Sequence, residues 1–164
     1  MKRIIQTITC ATLLLLPYHG FSQLGYTQAT DMDVNGIFIG GAYTKTQVEA
    51  KWGTPTIYHS GISENGLNEQ YDYTSNQLNN QFLFAENGVF HTFNIRTPNF
   101  SVYTAFSGGI KVGDNISRVS AIGLGTPVLQ SDGTYHLHRN NSTDPLIFYH
   151  SNGVITRIYF MTSV

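Results

Sequence analysis

The sequence predicts an α+β fold of two repeats, each a short helix packed on an antiparallel β-meander. Three observations carry this reading. The same order of signals occurs twice along the chain, and self-similarity at a long period points to a duplicated structural unit. Two Asn-Gly dipeptides sit between apolar alternating runs, a strong hairpin signal because both residues tolerate positive φ. The composition is also β-rich: of 164 residues only 12% are charged, about half the ~25% usual in soluble proteins, while ten Tyr, ten Phe and one Trp supply side chains suited to pleated surfaces.

The first residues read as an export signal. Lys2 and Arg3 give a positive start, and Ile4 to Leu16 form an apolar run shorter than the ~20 residues of a bilayer span. Gly20 and Ser22 place small residues at the −3 and −1 positions of a signal-peptidase site. Residues 1–22 are therefore expected to be a signal peptide, and 23–36 a segment poor in apolar residues and flexible. Cys10 lies inside the apolar run rather than at its end, so no lipid anchor is expected. The chain after residue 22 has no cysteine, and its stability must come from packing. Export places it in the periplasm or outside the cell.

The first repeat is assigned to residues 37–105. It opens on Ile37-Phe38-Ile39-Gly40-Gly41 and continues with a segment from Thr44 to Trp52, ended by Gly53-Thr54-Pro55. Thr44 can N-cap a helix, Gly53 can take the left-handed conformation that closes one, and Pro55 prevents its continuation. A helix of about two turns is not stable alone and must dock, here through Val48 and Trp52. Strands are expected over Glu69 to Tyr73, Asn80 to Phe84 and Val89 to Ile95, the last two joined by Asn87-Gly88.

The second repeat, residues 106–164, gives the same signals again. Ile110-Lys111-Val112-Gly113-Asp114 precedes a segment from Ser117 to Leu124, ended by Gly125-Thr126-Pro127. Ser117 is the expected N-cap, and Val119, Ile122 and Leu124 the docking face. Strands are expected over Thr134 to His138, Leu146 to His150 and Val154 to Phe160, the last pair joined by Asn152-Gly153. Thr97-Pro98-Asn99 marks the break between the halves, and the apolar stretch Phe100 to Phe106 reads as a packed link.

Strand parity assigns Val89, Phe93 and Ile95, with Val154, Ile158 and Phe160, to the core faces. The opposite faces then carry Phe90, Thr92 and Asn94 in one repeat and Ile155, Arg157 and Tyr159 in the other. Aromatic, aliphatic and hydrogen-bonding side chains on an open sheet face suit contact with a partner. Phe90, Ile155, Arg157 and Tyr159 are the candidate partner-binding residues.

The pattern of Gly, short capped helix and Gly-x-Pro followed by a hairpin is similar to the β-lactamase-inhibitor-protein-like and SmpA/OmlA (BamE-like) group. Its carriers are Ile39-Gly40, Thr44 to Val48, Trp52-Gly53-Thr54-Pro55 and Asn87-Gly88, then Val112-Gly113, Ser117 to Val119, Leu124-Gly125-Thr126-Pro127 and Asn152-Gly153. The two copies span residues 37–160. The resemblance implies a helix-on-sheet architecture, export, and protein binding rather than catalysis. The duplicated unit looks more like the inhibitor arrangement than the single-unit assembly factor. The missing lipobox and missing disulfides depart from familiar members, so no specific activity is carried over.

Other chemistry is less well served. Without Lys2 and Arg3, nine basic residues become seven against ten acids, a net charge of −3 with no basic block, which argues against nucleic acid. No stretch after residue 22 resembles a membrane span. His136 and His138 are two apart on one expected strand and share a face, so they could chelate a metal, and a small metal-assisted hydrolase is the alternative reading. A structural envelope component is a further one. The chain has no Gly-x-Ser-x-Gly, no His-Glu-x-x-His and no Gly-rich phosphate loop with lysine. No catalytic residue, resident metal or cofactor is assigned, and the protein is read as a binding protein, not an enzyme.

Overall fold

The computed structural model describes residues 32–61, 68–85, 87–105, 107–138 and 143–162. The expected signal peptide lies outside them, as does the segment 23–36 up to residue 31. Of the described residues 52% are in strands and 12% in helices, and there are two antiparallel sheets. The α+β expectation is therefore overturned: the chain is predominantly β, and two repeats each with a helix on a meander do not describe it.

The larger sheet has eight strands in the order β3-β4-β5-β6-β12-β11-β10-β9. These are β3 (Ile57–Ser60), β4 (Glu69–Ser75), β5 (Leu78–Phe84), β6 (Phe90–Ile95), β9 (Val128–Leu129), β10 (Tyr135–His138), β11 (Pro145–Ser151) and β12 (Val154–Met161). Two four-stranded meanders thus meet at β6 and β12, where Ile95 pairs with Ile158 and Phe93 with Phe160. Asn152 (φ 50°) and Gly153 (φ 78°) form the two-residue turn between β11 and β12, both left-handed as such a hairpin requires.

The smaller sheet has the order β2-β1-β7-β8, built from β1 (Met32–Val34), β2 (Ile37–Phe38), β7 (Ser101–Thr104) and β8 (Ser107–Lys111). It is made of residues read from the sequence as a flexible segment's end, two lead-ins and a packed link. β1 and β2 join through Asn35 (φ 44°) and Gly36 (φ 83°), an Asn-Gly turn of the same kind as Asn152-Gly153. The apolar side chains of this sheet alternate inward, with Met32, Val34, Val102 and Ile110 buried, and that pattern explains why these stretches pair as strands.

Helix α1 (Lys45–Trp52) forms where its caps place it. The Gln47 backbone N–H donates to Thr44 Oγ1 at 3.3 Å, the Thr44 N–H donates to Gln47 Oε1 at 2.8 Å, and Gly53 N–H closes the last turn on the Glu49 carbonyl at 2.9 Å. The second expected helix does not form as an α-helix. Ile116–Ala121 is a six-residue 3-10 helix, N-capped by Asn115 rather than Ser117. Its β-branched and serine residues lower α propensity, and left-handed Gly123 stops the chain before Gly125.

The two lead-ins are hooked to the central strands in the same way. Gly40 N–H donates to the Phe90 carbonyl and Tyr43 N–H to the Gly88 carbonyl; Gly113 N–H donates to Ile155 and Ile116 N–H to Gly153. The core lies between the eight-stranded sheet and the layer of α1, the 3-10 helix and the smaller sheet. Trp52 anchors it, its ring 4.4 Å from that of Phe82 and 5.6 Å from those of Phe90 and Phe100, with Nε1 donating to the Val34 carbonyl at 3.0 Å. No helix among the described residues is long and apolar enough to cross a membrane.

Candidate functional site

The faces of β6 and β12 are decided by two bulges. Leu83 pairs with Thr92 but Phe84 pairs with Phe90, so His91 is an extra residue on β6. Tyr149 pairs with Arg157 but His150 pairs with Ile155, so Thr156 is the extra residue on β12. A bulge advances the strand by one residue and reverses its alternation. Phe90 and Ile155 therefore point into the core, 0% and 1% exposed, and are not partner-binding residues. Val154 takes the opposite fate: expected in the core, it is 41% exposed.

Beyond the bulges the alternation resumes, and Arg157 and Tyr159 do lie on the outer face, away from α1. They meet residues from three other strands there. Arg157 Nε donates to Asn94 Oδ1 at 2.7 Å, and Asn94 is the register partner of Tyr159. The guanidinium carbon lies 4.8 Å from the Tyr149 ring centroid and 5.2 Å from that of Tyr159, within cation–π range of both. Asn94 in turn donates to Gln81 Oε1 at 3.5 Å, and Tyr159 Oη donates to Met161 Sδ at 3.4 Å.

This arrangement holds the arginine without neutralising it. Among the described residues the guanidinium has no ion pair, and its terminal nitrogens make no hydrogen bond. Asp72 is the one described acid on this face of the sheet; it is 5% exposed and accepts from Gln70 Nε2 at 2.8 Å. Arg157 is thus a fixed cation on a bed of two half-buried tyrosines near the middle of an eight-stranded sheet. Such a group can take a carboxylate in two parallel N–H···O bonds.

No protein-family model, curated protein or solved structure matches the chain. The site must be read from its own geometry.

His136 and His138 sit on β10 at the far side of the same face, their ring centroids 6.3 Å apart. No group of three His, Cys, Asp or Glu side chains able to hold a metal occurs among the described residues. Asp132 begins the turn before β10, where its Oδ1 accepts from Thr134 N–H at 2.9 Å and Thr134 Oγ1 at 2.7 Å, and these bonds hold its carboxyl below the usual range. His91, by contrast, is buried, its Nδ1 2.8 Å from Thr92 Oγ1, and burial lowers its pKa.

The sequence placed Arg157 and Tyr159 on the outer face and did not bring Tyr149 to them. The signal was available in the alternation of β11, where Leu146 and Phe148 are the inward positions and leave Ile147 and Tyr149 outward.

Proposed function

We propose that this chain is an exported interaction module that binds another protein on the outer face of its eight-stranded sheet, around Arg157, Tyr149 and Tyr159. The reading includes no catalytic step and no cofactor, and it follows the inhibitor-like side of the resemblance carried by the Gly-x-Pro and Asn-Gly signals. The observation that supports it is the guanidinium of Arg157, without an ion pair among the described residues and fixed by Asn94 and two tyrosine rings. Arginine and tyrosine dominate the small clusters of residues that supply most binding energy at protein interfaces. The partner presents a carboxylate to Arg157 and apolar surface to the tyrosines.

The test is cross-linking and recovery of the chain from its own envelope and culture fractions, followed by mass spectrometry and binding measurements with the recovered partner. The expected result is one stoichiometric protein, bound at least tenfold more weakly by Arg157→Ala with Tyr159→Ala, while thermal unfolding stays unchanged. Truncating such anchors typically costs about 2 kcal/mol or more of binding free energy. Undiminished binding by the double variant would remove this face from consideration.

A further inference from the structure

On the other side of the core, the smaller sheet turns a polar face to solvent. Asp33 on β1 pairs with Phe38 on β2 and with Tyr103 on β7, so these three side chains form a row across three strands. Phe38 is 45% and Tyr103 38% exposed. Beside the row lies an open groove of about 700 Å³, lined by Asp33, Asn35, Asn99, Ser101, Tyr103 and Thr104 together with Gly36. Asn35 and Asn99 also wall a second cavity of about 260 Å³, which continues past them toward Trp52 and Tyr73.

Hydrogen bonds tie together the backbone that frames the groove. Asn35, in the left-handed conformation of the β1–β2 turn, accepts from Ser101 N–H at 3.0 Å and donates to the Asn99 carbonyl at 3.3 Å. Asp33 Oδ1 accepts from Gly36 N–H at 2.7 Å, which orients the carboxylate. Tyr103 rests against Gly109: a Cβ there would stand 2.6 Å from Tyr103 Cε1, so only glycine admits the ring. Opposite these fixed groups, Asp33 Oδ2, Ser101 Oγ, Tyr103 Oη and the Asn99 side chain make no hydrogen bond among the described residues.

We propose that this groove is a saccharide-binding site, in which Tyr103 supplies a stacking platform and Asp33, Asn99 and Ser101 take hydroxyl groups. The chemistry of the lining selects the ligand class. A carboxylate, an amide and two hydroxyls offer acceptors and donors in the mixture a sugar's hydroxyls need. An immobilised aromatic ring with one side open matches the apolar C–H face of a pyranose. A phosphate or other anion would meet the Asp33 carboxylate, and an apolar ligand would strand the four unbonded polar groups. An open groove rather than a closed cavity admits an internal stretch of a chain. None of its residues belongs to the Arg157 cluster, so this inference stands apart from the proposed protein partner.

The experiment is retention of the chain on insoluble cellulose, xylan, chitin and peptidoglycan, together with a printed glycan array. Titration of tyrosine and tryptophan fluorescence with soluble oligosaccharides of whichever polymer binds would follow. The expected result is retention on at least one of them, falling at least tenfold in Tyr103→Ala and in Asp33→Asn, and unchanged in Arg157→Ala. The Asp33→Asn variant keeps an acceptor for Gly36 and serves as the folded control if Tyr103→Ala proves unstable, as judged by thermal unfolding. No binding to any polymer or array glycan would overturn the proposal. Equal binding by folded Tyr103→Ala and Asp33→Asn proteins would overturn it too.

Discussion

Gly88 lies in the β5–β6 connection and Gly153 in the β11–β12 turn, and the difference between them shows what a single residue contributes. Both have φ near +75° (75° and 78°), a conformation that costs another residue about 1–2 kcal/mol. A Cβ on Gly88 would also lie 2.3 Å from the Tyr43 carbonyl oxygen, whereas one on Gly153 would meet nothing within 4 Å. Gly153→Ala is therefore expected to cost about 1 kcal/mol, and Gly88→Ala roughly 2 kcal/mol more. Urea unfolding of both variants measures this; equal losses would mean that the approach of Tyr43 does not constrain the turn. His91 gives a second prediction at this scale. Burial depresses its folded pKa below the ordinary value of 6.5, so between those two values the unfolded chain binds the extra proton. Its contribution is fully present above about 6.5 and is lost as pH falls toward the folded pKa. The thermal midpoint should drop between pH 7 and pH 5, and His91→Gln should flatten that slope. An unchanged slope in the variant would assign the effect elsewhere.

Between elements, the fold depends on side chains that tie strands to the chain leaving them. Asn80 on β5 is wholly buried and makes four hydrogen bonds. Its Oδ1 accepts from Arg96 N–H at 2.8 Å and Thr97 N–H at 3.0 Å, and its Nδ2 donates to the Tyr73 carbonyl and Thr97 Oγ1, both at 2.9 Å. These bonds hold the turn that carries the chain from β6 in one sheet to β7 in the other. Asn80→Ala leaves several of those groups unsatisfied and is expected to cost about 2–4 kcal/mol in denaturant unfolding. A loss under 1 kcal/mol would show that solvent replaces the amide. The elements themselves were partly legible. Thr44, Gly53 and Pro55 marked α1 correctly because capping is a local interaction. Ser117 to Leu124 offered the same signals and became a 3-10 helix, since a short serine- and β-branched-rich segment follows its surroundings.

Across the whole molecule, the chain presents two different surfaces on opposite sides of one core. The outer face of the eight-stranded sheet carries Arg157 between Tyr149 and Tyr159; the outer face of the smaller sheet carries Asp33 between Phe38 and Tyr103. Both proposed sites place an aromatic pair around one charge, with opposite sign, and their tests are separable because neither shares a residue with the other. The sequence by itself determined the punctuation of this protein: the left-handed Asn152-Gly153 turn, the cap of α1, and the runs that became β4 to β6 and β10 to β12. These depend on backbone preferences within a few residues. Only the tertiary structure decided that β6 and β12 join into one sheet, that the link from Phe100 onward becomes strands, and that His91 and Thr156 bulge. A bulge exists only relative to a partner strand far away in sequence, so no local period reveals it. That one extra residue is why Phe90 and Ile155 belong to the core while Arg157 and Tyr159, two to four positions further on, face outward.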